Sequence, residues 1–179
     1  EAASSDRQEQ IEAARKIWYE GCVAEAIDTF YTTEELLDPS GNRQRGILRA
    51  DDLARWNASY EDPATVQYGN LDVYKCGFWS QGPTLLQQLA IMRDLDVRNL
   101  PATDPRFVHT VAEVAKLAFA DREAWYGDPE FADVPADALL SEAYAAERRK
   151  LISADEASME LRPGNPDGRR ANVSPAFNH

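Results

Sequence analysis

The chain has 179 residues, 44% of them apolar and 28% charged, the composition of a folded chain about one ordinary domain in size. Acidic residues outnumber basic ones 31 to 19, and the net charge of -12 argues against a nucleic-acid surface and against docking on an anionic membrane. No apolar run approaches the roughly 20 residues needed to span a bilayer.

Glu1-Ala2-Ala3-Ser4-Ser5 has neither a basic nor an apolar segment, so no signal peptide is expected there. The missing initiator Met predicts a processed product, a fragment or a trimmed chain. Ser5-Asp6-Arg7-Gln8 then reads as a capping box with Ser5 as N-cap. Ile11, Ala14, Ile17 and Trp18 follow at helical spacing, Gly21 interrupts, and Val23, Ala26, Ile27 and Phe30 form a second helical face. Asp38-Pro39-Ser40-Gly41-Asn42 is a turn cluster. A short helix is predicted over 49–56, with Leu53 and Trp56 inward. The one clear β signal spans about 64–76, two alternating runs around Gly69-Asn70, which predicts a tight hairpin.

Pro83 suits the first turn of a helix whose apolar face is Leu85, Leu86, Leu89 and Met92. Asp104-Pro105 opens the longest helix, which stops at Gly127-Asp128-Pro129. A further helix is predicted over 141–152 with Tyr144 and Leu151 inward. Residues 163–179 show no period and are expected as an extended tail after a helical segment, 1–162. The predicted fold class is mainly α with one β-hairpin.

On the helix after Pro105, successive residues advance by ~100°. This places Phe107, Val111, Val114, Ala118 and Trp125 on one face, beside Val108, Ala115 and Phe119. Arg122 then falls inside the apolar arc and Asp121 at its edge. A buried guanidinium there needs a carboxylate or carbonyl partner, so both residues are expected to be structural, the alternative being an anion-binding Arg122 that reaches a substrate carboxylate. Ser80-Gln81-Gly82 leads into a helix N-terminus and reads as an entry loop with Trp79 packed on the core; one glycine does not make a phosphate loop. His109 lies on the polar side and has no partners for a triad. Cys22 and Cys76 permit one disulfide at most, lack metal-ligand spacing and are expected as packing residues. Glu34-Glu35 is expected as a solvated pair and Asp51-Asp52 as a helix start. No metal or cofactor site is predicted.

Several stretches resemble the γ-glutamyltransferase family of N-terminal nucleophile hydrolases. They are Ile17-Trp18-Tyr19-Glu20-Gly21 with Ala24-Glu25-Ala26-Ile27, then Gly46-Ile47-Leu48 with Asp51-Asp52-Leu53, then the 68–74 hairpin region. The most specific are Leu117-Ala118-Phe119-Ala120-Asp121-Arg122, Tyr126-Gly127-Asp128-Pro129-Glu130-Phe131 and Val134-Pro135. Leu139-Leu140-Ser141, Tyr144-Ala145 and Arg162-Pro163-Gly164 continue in order, so the match covers about residues 15 to 165.

The resemblance implies the C-terminal half of a large subunit, the helical part of an αββα fold, from a precursor that cuts itself in two. It implies a nucleophilic Thr beyond His179, at the start of a small subunit, and places the Arg that grips the glutamyl α-carboxylate upstream of Glu1. No catalytic residue therefore falls on this chain, which alone is expected to be inactive. Ser80, Gln81, Gly82, Asp121 and Arg122 are the candidates for supporting a site. The implied partners are the small subunit, the rest of the large subunit and a γ-glutamyl or acyl amide, and family members are often periplasmic or secreted. The hairpin edge is expected to pair with a strand of the small subunit, and the tail to run toward that subunit's N-terminus.

The family's proline-rich loop ending in Ser-Ser-Gly-Gly is here Phe78-Trp79-Ser80-Gln81-Gly82-Pro83, where only Ser80 and Gly82 correspond. That departure counts against glutathione-type transpeptidation and leaves an acylase or amidase relative with a different acyl group as the alternative. The rival from another class is a non-enzymatic helical binding module with an acidic face.

Overall fold

Asp6, rather than Ser5, opens the first helix: its Oδ1 accepts from the amides of Gln8 (2.8 Å) and Glu9 (3.0 Å). One carboxylate oxygen thus satisfies two of the amides that a helix start leaves without partners. The computed structural model describes residues 4–171. They divide into two compact units, Glu1–Tyr60 and Glu61–His179.

In the first unit, α1 (Arg7–Tyr19) and α2 (Cys22–Thr33) are separated at Gly21. A Cβ at Gly21 would lie 3.0 Å from the Ile17 carbonyl oxygen, so the close approach favours glycine. Ala24 is the one buried residue of the two helices. The turn cluster closes a second antiparallel pair that the sequence reading did not contain, β1 (Leu36–Leu37) with β2 (Arg43–Gln44). Asp38 Oδ1 accepts from the Ser40 amide at 2.8 Å, and Gly41 takes φ +83°. Together these reverse the chain tightly enough for a two-residue ladder. The short helix α3 (Ala50–Arg55) forms as expected, with Asp52 Oδ2 accepting from the Arg49 amide at 3.0 Å. Trp56 does not point inward. It is 56% exposed and stacks on Tyr19 at 5.8 Å.

In the second unit, β3 (Ala64–Tyr68) and β4 (Leu71–Lys75) pair antiparallel, with Tyr68 opposite Leu71. Gly69 has φ +65° and no described non-glycine residue has positive φ, which is the II′ pattern with glycine at the first turn position. Among the described residues this sheet has two strands only. α4 (Gly82–Met92) packs on the hairpin and on α5 (Pro105–Trp125) and α7 (Glu142–Arg149). Pro83 is its second residue, after Gly82, and Leu85 is exposed rather than buried. Ala90, Ile91, Val114, Leu117 and Ala145 form the main core. A short helix α6 (Ala136–Leu139), not predicted, contributes Leu139 to a second cluster with Phe78 and Tyr144.

α5 starts and stops where the sequence predicts, with Asp104 Oδ1 accepting from the Arg106 amide at 2.9 Å. Its buried stripe is different. Glu113, Val114, Leu117, Ala118, Ala120 and Asp121 face in, while Val108 and Phe119 are exposed. Asp121 is therefore at the buried face and Arg122 at its margin, the reverse of the helical-wheel expectation. Facing elements decide this: α4 and α7 offer Asp121 an amide and a guanidinium, which apolar spacing cannot register. Leu151, expected inward, is exposed. Cys22 and Cys76 are exposed free thiols rather than packing residues. Of the tail, residues 163–171 carry no helix or strand; 172–179, and with them the approach to the junction, lie outside the described residues.

Candidate functional site

Three of the predicted residues meet at the N-terminal end of α4. Ser80 Oγ donates to the Gly77 carbonyl (2.9 Å) and accepts from the Gly82 amide (3.1 Å), which closes the entry loop. A Cβ on Gly82 would sit 2.8 Å from Lys75 Cβ and 2.9 Å from the Cys76 carbonyl, so the loop lies directly on the hairpin end. Trp79 is exposed rather than packed on the core, and its indole N–H is shared by the two carboxylate oxygens of Glu61 at 2.8 and 2.9 Å. Phe78 takes the buried position, edge-on to Tyr126 at 4.7 Å.

Arg122 reaches this loop from α5. Its Nη1 donates to Gln81 Oε1 at 2.9 Å, its Nε donates to Glu123 Oε1 at 3.0 Å, and the guanidinium lies 4.7 Å from the Phe119 ring centroid. Phe78, Trp79, Gln81, Arg122, Tyr126 and Asp128 are among the residues lining an open cavity of about 230 Å³. Ser80, Gln81, Gly82 and Arg122 thus form one cluster, with three aromatic side chains and a guanidinium whose charge Glu123 balances.

Asp121 stands apart, on the buried side of α5. Gly164 donates its amide to Oδ1 (2.7 Å), Gln87 donates Nε2 to Oδ2 (3.1 Å), and Arg148 Nε lies 3.2 Å from Oδ2. Burial pushes the carboxyl pKa up, and Arg148 with these donors opposes it. Gln87 Oε1 in turn accepts from the Tyr126 hydroxyl at 2.7 Å. Burial also raises the Tyr126 and Tyr144 phenols, so both remain protonated at neutral pH. The sequence reading placed Tyr144 inward, as found, and Gly164 in a matched motif, but gave Gln87, Glu113 and Arg148 no role. The only signal for Glu113 and Arg148 was the occurrence of polar residues at helical spacing, Glu113 to Asp121 and Tyr144 to Arg148.

Glu113 is a second buried carboxylate, 1% exposed. Lys116 Nζ donates to Oε1 (2.5 Å), and Arg162 Nη2 (3.1 Å) and the Ser158 amide (3.4 Å) donate to Oε2. Burial raises its pKa, but these donors outweigh burial and hold it below its ordinary value of 4.5. Its stabilising contribution is therefore fully present above about pH 4.5 and is lost as pH falls through the lower native value. Glu113→Gln is expected to flatten the acid limb, below pH 4.5, of the full-length protein's melting temperature against pH. An unchanged slope would rule out this role.

Among the described residues, no three or more His, Cys, Asp and Glu side chains are grouped to hold a metal. No described helix is long and apolar enough to cross a membrane.

A family model described as Gamma-glutamyltranspeptidase matches residues 9–174. The chain belongs to the gamma-glutamyltranspeptidase family. The solved structure of LmbA2991HD is 50% identical with a TM-score of 0.84, covering 97% of this chain and 29% of that one. The glutathione hydrolase proenzyme of Escherichia coli (strain K12) is 32% identical over 142 residues, 76% of this chain and 24% of the relative. The cephalosporin acylase from Bacillus halodurans is 28% identical with a TM-score of 0.71, covering 87% of this chain and 26% of that one. The chain spans about a quarter of the length of the curated glutathione hydrolase relatives it matches. Mostly helical with small antiparallel sheets, it is consistent with a fragment of the fold of these two solved structures.

Proposed function

We propose that this chain is the C-terminal part of the large subunit of a gamma-glutamyltranspeptidase-family enzyme that cleaves or transfers an acyl amide. The observation that carries this reading is the family match over residues 9–174. The chain supplies the helical outer layer of an αββα core, and its hairpin adds to a sheet continued by the small subunit. A Thr beyond His179 serves as nucleophile after self-cleavage, a reading supported by the relatives' description as proenzymes. In that cleavage the Thr hydroxyl adds to the preceding carbonyl and the peptide nitrogen leaves as the free amine. Water then hydrolyses the ester, giving an upstream carboxylate and restoring the hydroxyl. In turnover the same hydroxyl takes the acyl group and passes it to water or an amine.

Asp121 has a structural role here, and Ser80, Gln81, Gly82 and Arg122 support the site by shaping the α4 entry loop. The acyl group is one other than the γ-glutamyl of glutathione, a reading favoured by the Trp79-Ser80-Gln81 loop.

The full-length protein tests both parts. It is expected to split into two pieces on storage and then to release a chromogenic amine from an acyl anilide, with γ-glutamyl anilide the poorer donor. Replacing the newly exposed Thr with Ala should abolish both reactions. Turnover by residues 1–179 alone would place the nucleophile elsewhere.

A further inference from the structure

Residues 153–164 follow α7 without helix or strand, yet side chains of α5, in a stripe that winds part-way round the helix from His109 to Trp125, hold their backbone at Ser153, Ser158 and Gly164. His109 Nε2 lies 2.8 Å from the Ser153 carbonyl oxygen. Lys116 donates to the Ser158 carbonyl (2.8 Å) while Glu113 accepts the Ser158 amide and Arg162. Asp121 accepts the Gly164 amide (2.7 Å), and the Trp125 indole donates to the Gly164 carbonyl (2.9 Å). The order along the strap follows the order along the helix, so the two run in the same direction. A chain without its own ladder must find such partners for its amides and carbonyls. These side chains supply partners that a sheet would otherwise provide.

The stripe also fixes the register. At Gly164 a Cβ would lie 2.2 Å from the Tyr144 hydroxyl and 2.9 Å from its Cζ, so no other residue can slide into this position. Beyond it, the Gly168 amide donates to the Asn165 carbonyl at 3.3 Å, with Gly168 at φ +82°, so the chain turns. Arg169 then lies 5.6 Å over the Trp125 ring and pairs with Asp133 at 2.7 Å. Trp125 therefore holds the strap at Gly164 by its N–H and the following turn by its face.

We infer that Trp125 and Asp121 are positioning residues for self-cleavage: by clamping Gly164 they set where the downstream chain is presented to the nucleophile. This rests on the functional reading above. The attacking hydroxyl must sit about 3–3.5 Å from the carbonyl carbon, and a misplacement of about 1 Å can cost on the order of a hundredfold in rate. A junction reached through an unclamped strap would lose that register.

The test uses the full-length precursor, followed by gel from the moment of synthesis, well below its melting temperature. Trp125→Phe keeps an aromatic face for Arg169 but removes the indole N–H together with the five-membered ring that carries it, and is expected to slow appearance of the two pieces by about tenfold. Molecules that have been cleaved should keep the wild-type kcat and KM, which separates positioning from damage to the mature site. Gly164→Ala provides a second variant outside the core; it should slow cleavage similarly, with Tyr144→Phe restoring part of the rate. Cleavage of both variants at the wild-type rate, with only the melting temperature lowered, overturns the inference alone. A wild-type precursor that stays whole overturns the functional reading with it.

Discussion

Asp121→Ala is expected to lower the stability of the full-length protein by roughly 3–5 kcal/mol, the cost of leaving a buried charge without its partner. The size follows from what the carboxylate serves. Arg148, only 3% exposed, would lose the ion-pair partner 3.2 Å from its Nε, and Gln87 and the Gly164 amide would each lose an acceptor inside the core. Surface pairs such as Arg55 with Asp52, both largely solvated, contribute far less when broken. A thermal melt should show a drop of several degrees. Asp121→Ala combined with Arg148→Ala should cost less than the sum of the two single changes, because the second truncation removes the charge the first one stranded. Full additivity would show that the two side chains are not coupled.

Leu117→Ala is expected to cost roughly 2–5 kcal/mol. Leu117 is 1% exposed, at the centre of the cluster formed with Ala90, Ile91, Val114 and Ala145. Two of those neighbours are alanines, whose side chains have nothing to extend into a void, so the cavity left behind cannot close by rotamer change. The carbonyl of Leu117 accepts from Arg148 Nη2 at 3.2 Å whatever the side chain is, so the loss measured is packing alone. Leu117→Met, which nearly conserves volume, should cost less than about 1.5 kcal/mol. Equal melting temperatures for Leu117→Ala and wild type would mean that this cluster does not hold α4, α5 and α7 together.

The backbone punctuation was readable from residue types alone. Gly21, Asp104-Pro105 and Gly127 bound helices where expected, and Gly69 turns the hairpin. Each acts within a few residues of itself, through a forbidden or pre-set φ or a missing amide hydrogen. The side of each helix that turns inward was much less readable. Val108, Phe119, Leu85 and Leu151 are apolar and exposed, while Gln87, Glu113, Asp121 and Arg148 are polar and buried. A helical wheel drawn on hydrophobicity picks the first set and rejects the second.

The candidate site divides in the same way. Ser80 and Gly82 act on their own loop, and their local role follows from a Ser and a Gly ahead of a helix. The approach of Gln81 to Arg122 joins residues 41 apart in sequence, and that of Asp121 to Gly164 residues 43 apart. By itself the sequence determined the family, the longer helices, the β3–β4 hairpin and the overall acidic charge, because these depend on residue types and short spacings. Only the tertiary structure decided which polar groups are buried and what pairs with them. Burying a carboxylate is costly unless a guanidinium and amides from other elements surround it, and only the packing of α4, α5, α7 and the strap brings those donors together.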